Sequence, residues 1–472
     1  MKSFDAIVIG AGPGGYPCAI RLAQEGKKVA IVEKDKWGGV CLNVGCIPSK
    51  ALIYASSQFH KTKEMAEIGI QVGQAKLDME KMQGWKAGVV KQLTNGVSGL
   101  LKMNGVTAFS GGATFKDPHT LEISGSAGKE TISAKEIVIA TGSRVVEIPI
   151  LKFNGKNILD STQALDLKKL PKQFVVVGGG FIGLEIGMAY AKLGSKVTVV
   201  EALDQLLATV EAELVQVVQK KMRELGMTVL TSTKALGLKE KDPVKEALLH
   251  LEVETKEGKK VLEADAILVS VGRKPNSDGM GLDKIGVKID SRGNILTDRQ
   301  GKTNIPGVWA IGDVTGAPQL AHRATQDGLL VAAAICGEKA YKDYKTVPWA
   351  VFVDPEIATA GLTEKEAKEQ GIPYKVGKFP FAANGRALST NEGNGFLKVL
   401  IHEKNETVIG VHIVGPEASN LIAEATLAIE MGATVEDLVR TIHTHPTLPE
   451  AFPEAVELAF SKAIHVFKPK RG

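Results

Sequence analysis

The chain has 472 residues, 44% hydrophobic and 24% charged, with a formal net charge of +5. At roughly 150 residues per domain this length predicts about three domains, and so balanced a composition excludes a disordered or fibrous chain. No apolar run reaches the ~18 residues a membrane helix needs, and the one basic cluster, Lys468–Arg471, reads as a solvated end and not as a nucleic-acid arm.

The first predicted element is a short apolar strand from Asp5 to Ile9. It runs into Gly10-Ala-Gly12-Pro13-Gly14-Gly15, then helix-like sequence to Gly26, then a second strand, Val29–Val32, ending at Glu33-Lys34. This is a dinucleotide fingerprint with its acid in place. Gly10 permits the tight turn, Gly12 lets backbone approach a pyrophosphate, and Gly15 lets helix pack on strand. The helix start then offers unpaired N–H groups and a positive dipole end to phosphate. Pro17 falls where a kink is expected. A motif that begins at Asp5 leaves no room for a leader or a lipoyl-bearing extension, so the expectation is a cytoplasmic protein or a mature protein of an organelle matrix.

Next comes Gly38-Gly39-Val40-Cys41-Leu-Asn-Val-Gly45-Cys46-Ile-Pro48-Ser-Lys50. Only four cysteines occur, and in a reducing compartment a close pair is expected to cycle chemically. Cys41 and Cys46 are not spaced like zinc ligands, and no second pair or histidine cluster follows, so no metal is expected. Pro48 suits the first turn of a helix running on to Phe59. Cys46 then sits near that helix's N-terminus, where the dipole favours thiolate, and Lys50 lies on the same face. Cys18 and Cys336 each stand alone in apolar helical patterns and read as core residues.

The fingerprint returns at Val175-Val-Val-Gly178-Gly-Gly180-Phe181-Ile182-Gly183, with a second strand ending at Glu201. Every landmark is displaced by the same 168 residues, Gly10 to Gly178 and Glu33 to Glu201. One glycine motif is weak evidence; two in register, each with its acid, predict two dinucleotides. A carboxylate at Glu201 accepts hydrogen bonds from ribose hydroxyls and repels a 2′-phosphate, favouring NAD(H) over NADP(H). Beyond about Thr346 the texture changes to antiparallel strands at Phe396–Ile401 and Val408–Ile413 and a helix at Leu421–Met431, an α+β pattern. It ends in Thr441-Ile-His443-Thr-His445-Pro446-Thr-Leu-Pro-Glu450. A histidine held by a carboxylate is a general acid/base arrangement, although spacing alone leaves His443 and His445 equal candidates.

The stretch Gly39–Lys50 resembles the redox motif of the pyridine nucleotide–disulfide oxidoreductases, and within them most nearly that of the dihydrolipoamide dehydrogenases. The likeness runs from residue 5 to about 460 and includes Ala140-Thr141-Gly142-Ser143, Ser270-Val271-Gly272-Arg273 and Ala310-Ile-Gly312-Asp313. It implies oxidation of protein-bound dihydrolipoamide by NAD+, through a Cys41–Cys46 disulfide and FAD. Asp313 would hold the ribityl chain, with Thr141, Gly142, Ala113 and Ala321 near the flavin. Gly272 and Arg273 would lie along NAD, and Lys50 would pair with Glu185 beside the isoalloxazine. The resemblance selects His445, with Glu450, as the acid/base dyad, acting in the active site of the other subunit of a homodimer.

The expected fold is therefore α/β: two Rossmann-like domains for FAD (1–147 with 276–346) and NAD (148–275), followed by an α+β interface domain (347–472). The partners implied are lipoyl domains of 2-oxoacid dehydrogenase or glycine cleavage complexes. A glutathione reductase is a related alternative, disfavoured by Glu201. A mercuric reductase lacks support because the C-terminus has no cysteine pair, and a purely structural subunit would leave the redox pair unexplained. Two departures from the family pattern stand out: Arg144–Pro149 in place of an early proline, and Pro449 beside Glu450.

Overall fold

The computed structural model describes residues 1–126, 128–239 and 248–467, so the basic cluster Lys468–Arg471 lies outside the described residues. The chain divides into two compact units, 1–170 with 269–343 and 171–268 with 344–472. Among the described residues no helix is long and apolar enough to cross a membrane.

The sheet of the first unit is built on Lys2–Ile9, flanked in parallel by Val29–Glu33 and Gly128–Ile139, with Thr107–Ser110 and Val308–Ala310 extending the parallel set. Thr120–Gly125 and Gly112–Asp117 continue it antiparallel. The central strands are unbroken apolar runs because both faces are covered. Ile7, Ile9, Ala30 and Val32 enter one core, and Ala6, Val8, Val29 and Ile31 enter the other. Cys18 is fully buried in the second core, and Cys336, which ends the helix Ala321–Ile335, packs against it.

The expected kink at Pro17 does not occur. The helix runs unbroken from Gly15 to Gln24, which places Pro17 in its first turn, where a backbone N–H has no intrahelical partner to lose. Later in this unit Ser143–Val145 pairs with Arg273–Pro275. The departure at Arg144 acquires a role there: its guanidinium reaches both carboxylate oxygens of Asp278 and the carbonyl of Pro275.

The second unit repeats the plan. Gln173–Val177 pairs in parallel with Lys196–Val200, which pairs with Thr228–Leu230, and Ala266–Val269 joins on the other side. The register carries the 168-residue displacement: Ala6 faces Val29 in one copy, and Phe174 faces Val197 in the other. The C-terminal part is a five-stranded antiparallel sheet in the order Trp349–Val351, Glu356–Gly361, Val408–Gly415, Phe396–His402, Tyr374–Pro380. The helices Ala418–Met431 and Ala451–Leu458 pack on it around one core. The fold is α/β with two Rossmann-like sheets and a C-terminal α+β domain.

A buried ion cluster ties the helix Ala212–Glu224 to this sheet. The Lys398 ammonium, on a side chain only 2% exposed, lies 2.6–2.7 Å from carboxylate oxygens of Glu211, Glu213 and Glu364. Burial pulls the ammonium toward neutrality, and the three carboxylates outweigh it and raise its affinity for the proton. Removing one partner of such a cluster strands the others. Lys398→Met is therefore expected to lower the free energy of unfolding by about 3 kcal/mol, read from denaturant unfolding, and an unchanged midpoint would contradict it.

Candidate functional site

Both fingerprint turns are closed by the same hydrogen bonds. Glu33 accepts from the N–H of Ala11 (2.7 Å) and of Asp35 (2.8 Å). Glu201 accepts from Gly179 (2.6 Å) and Leu203 (2.8 Å). Gly10 donates to Val32 and Gly178 to Val200. Each acid thus fixes its own turn, and a carboxylate with about four acceptor positions retains capacity for ribose hydroxyls.

The glycines are there because side chains would not fit. Gly10 has φ +102°, and a Cβ on it would lie 2.4 Å from the Ala140 carbonyl. A Cβ on Gly15 would lie 1.8 Å from the Gly10 carbonyl, whereas one on Gly12 would meet nothing nearer than 3.9 Å. The turn is therefore packed behind and open in front, as close approach of a phosphate requires.

The redox pair is a break between two helices. Gly39–Val44 ends at Gly45, and Cys46 opens the long helix Cys46–Glu64. Cys41 and Cys46 are free, half-buried thiols. The Cys41 thiol is pushed well above its ordinary range, first by its hydrogen bond to Cys46, then by burial and by the Cys46 charge, with Lys50 pulling the other way. Cys46 stands at the helix N-terminus, where a positive dipole end meets whatever charge it carries. Tyr16 was not foreseen from sequence. Its phenol is raised by burial and by the adjacent Cys41, so it borders the pair, and nothing in the fingerprint marks the residue after Gly15.

A chain of polar contacts joins loops distant in sequence. Arg273 donates to the Ser143 hydroxyl and carbonyl (both 2.7 Å), and that hydroxyl donates to Asp313 Oδ2. Thr141 donates to the Asn276 carbonyl, and the Asn276 amide donates to the Thr141 carbonyl. Burial lowers the Arg273 guanidinium against the opposing pull of Asp313 and Cys46. Behind Asp313 the Gly312–Thr315 turn is held by Arg323, which donates to the carbonyls of Gly312 and Gly316 and pairs with the fully buried Asp327, itself 3.4 Å from Lys342. Sequence reasoning missed this triad because Arg323 and Asp327 look like an ordinary helix pair four residues apart and Lys342 like a loop charge.

The remaining residues of interest are placed as follows. Ala113 is buried on the strand Gly112–Asp117, and Ala321 opens the helix Ala321–Ile335. Gly272 has φ +131° beside the exposed Val271. In the second unit, Glu185 is buried in the helix Phe181–Leu193 and accepts from the Phe352 N–H. The Phe181 ring lies edge-on to Trp349. His445 and Glu450 meet: Nδ1 is 2.9 Å from Oε1, while Oε2 accepts the Thr447 N–H at 2.7 Å. Burial opposes ionisation of Glu450, and Thr447 and His445 overcome it, holding the carboxyl below its usual range. The His445 side chain is 80% exposed, leaving Nε2 available to an incoming group.

Two fingerprint turns and one close thiol pair make a chain suited to passing electrons between a dithiol and a pyridine nucleotide. Residues 4–328 match the family model described as pyridine nucleotide-disulphide oxidoreductase, and residues 347–456 match the dimerisation domain of the same family. The chain belongs to the pyridine nucleotide-disulphide oxidoreductases.

It is 47% identical over 462 residues to a dihydrolipoyl dehydrogenase of Geobacillus stearothermophilus, covering 98% of this chain and 97% of that one. It is 46% identical over 469 residues to one of Thermus scotoductus, covering 99% of each. Among solved structures it resembles LpdA of Mycobacterium tuberculosis, with a TM-score of 0.88 at 25% identity over 97% of this chain and 99% of that one. It also resembles the HOCl-induced flavoprotein disulfide reductase RclA of Escherichia coli in its Cu(II) complex, with a TM-score of 0.86 at 28% identity over 97% and 100%. The family uses FAD and NAD, and the open-fronted turns with their carboxylates fit the ADP halves that both share. Gly15→Ala drives a methyl into the Gly10 carbonyl, so the purified variant is expected to lose its bound yellow flavin; retention of stoichiometric flavin would refute this.

Proposed function

We propose that the chain is a dihydrolipoyl dehydrogenase that oxidises protein-bound dihydrolipoamide to lipoamide and reduces NAD+ to NADH. The observation that carries this reading is the close thiol pair across the Gly45 break between two helices, with Cys41 hydrogen-bonded to Cys46 and Lys50 in electrostatic range. The full-length likeness to dihydrolipoyl dehydrogenases supports the substrate class.

In the working cycle the pair starts as a disulfide. His445 Nε2 takes the proton from one substrate thiol, with Glu450 fixing the tautomer by holding Nδ1. The resulting thiolate attacks Cys41; a bond forms between substrate sulfur and Cys41, and Cys46 departs with the electron pair. The second substrate thiol displaces Cys41, closing the lipoyl disulfide and leaving two electrons on the Cys41–Cys46 dithiol. FAD and NAD, when bound, carry those electrons onward as hydride. Lys50 and the helix N-terminus stabilise the Cys46 thiolate while it waits.

The assignments beyond the pair belong to this proposal. FAD is held by the first fingerprint (Gly10, Gly12, Glu33), by Thr141, Gly142 and Asp313, and by Ala113 and Ala321. NAD is held by the second fingerprint (Gly178, Gly180, Gly183, Glu201). The domains are 1–147 with 276–346 for FAD, 148–275 for NAD and 347–472 for the interface. Two chains form a homodimer in which His445 serves the other subunit. Support comes from the family's dimerisation domain and from the exposed apolar side chains of Leu427, Met431 and Ile442 on it. Lipoyl domains of 2-oxoacid dehydrogenase or glycine cleavage complexes are the partners, in the cytoplasm or an organelle matrix.

Steady-state assays with dihydrolipoamide, glutathione disulfide, NAD+ and NADP+ test the reading, and a preference for glutathione disulfide would overturn it. Cys46→Ser is expected to keep flavin but to lose both NAD+-dependent dihydrolipoamide oxidation and the long-wavelength absorbance of thiolate beside flavin. Full turnover in that variant would sink the mechanism. His445→Gln is expected to suppress thiol oxidation by at least 10²-fold and to spare NADH-to-dye electron transfer; equal losses in both assays would exclude a base role.

A further inference from the structure

His445 poses a mechanical problem. Its ring is largely in solvent, so packing does little to hold it, and residues 441–450 form no helix or strand. A base that wanders by an ångström loses rate steeply. Leu448 is buried in the core of the domain, and among the described residues two side-chain hydrogen bonds tie this loop to elements distant in sequence. After His445, the Thr447 carbonyl accepts from the amide of Asn384, a buried residue that caps the helix Gly385–Ser389. Before it, His443 turns inward. The His443 side chain is 10% exposed, its Nε2 lies 2.7 Å from Glu424 Oε1 on the helix Ala418–Met431, and its Nδ1 lies 3.0 Å from the Thr441 carbonyl.

Both partners of the His443 ring are acceptors. A backbone carbonyl cannot donate, and neither can an ionised carboxylate. Both ring nitrogens of His443 are thus engaged by oxygens of the chain. The neighbouring dyad is built differently: His445 has one nitrogen engaged by Glu450 and the other turned outward. The first histidine is thus saturated and the second is left with a working nitrogen.

We infer that His443 and Glu424 are a positioning pair for the catalytic base, pinning the loop two residues before His445 so that its free nitrogen is presented at a fixed place. The inference rests on the reading of His445 as the base. The pair acts by narrowing the range of positions open to His445, and its loss is felt in the rate of thiol deprotonation.

The test uses the flavin-loaded full chain. His443→Ala is expected to lower kcat for dihydrolipoamide oxidation about 10- to 100-fold, with KM for dihydrolipoamide and NADH-to-dye transfer little changed. Glu424→Gln, which still accepts through its amide oxygen, is expected to lose less. The double variant is expected to be no worse than His443→Ala alone, since both substitutions remove one pin. Wild-type kcat in folded, flavin-loaded His443→Ala overturns the inference. So do losses that multiply in the double variant, a change confined to KM, or parallel losses in both assays. If His443→Ala does not fold, Glu424→Gln with wild-type kcat overturns it equally. Failure of the underlying reading has a different signature, because His445→Gln would then lose both activities together whatever the His443 variants do.

Discussion

The absence of a side chain at Gly10 and Gly178 is the constraint on which the rest of the molecule depends. At Gly10 the backbone runs at φ +102° against the Ala140 carbonyl, and at Gly178 it runs at φ +110°. Only this conformation turns the chain sharply enough to start a helix directly over the end of its own strand. With that geometry in place, Glu33 and Glu201 can reach back to Ala11 and Gly179. The thiol pair follows soon after the first of these clamps.

The division of labour within the thiol pair follows from local geometry. Gly45 interrupts two helices, and the interruption makes Cys46 the first residue of a long one while Cys41 ends up against it. Two chemically identical side chains thereby stand in different surroundings: burial and the neighbouring Cys46 push the Cys41 thiol up, and Cys46 meets the helix dipole. Far along the chain, Ser143 receives Arg273 and donates to Asp313, binding three loops into one unit. Arg323, Asp327 and Lys342 brace that unit from behind, so the turn carrying Asp313 rests on buried charge and does not depend on packing alone.

Features whose cause is local could be read from the sequence. The strand–glycine–helix order, the paired acids and the Cys-x4-Cys segment each lie within about thirty residues, and their spacing carries their physics. The meeting of His445 and Glu450 spans five residues, and there spacing permitted contact without requiring it; the turn that brings Thr447 onto the same carboxylate makes the contact. Pro17 lies close enough to the helix start at Gly15 that its missing N–H has no intrahelical partner to lose, a margin of one or two residues that the sequence does not resolve. The Arg273–Ser143–Asp313 chain could not be read, since its links span 130 and 170 residues and no periodicity reports them. Tyr16 and Asn384 escaped for the same reason: what matters in each is a neighbour brought near by folding.

The repeated clamp also bears on selectivity. FAD and NAD share an ADP half, and the two turns proposed to receive it are alike down to the backbone groups their carboxylates bind. Discrimination therefore falls to positions where the copies differ. Pro13 and Gly14 in the first become Phe181 and Ile182 in the second. A Cβ on Gly14 would lie 3.1 Å from the Ala324 carbonyl, whereas Phe181 spends its bulk against Trp349. On the proposed assignment free ADP is an ambidextrous ligand, competing at both half-sites, and the two coenzymes would be told apart by what lies beyond the part they have in common.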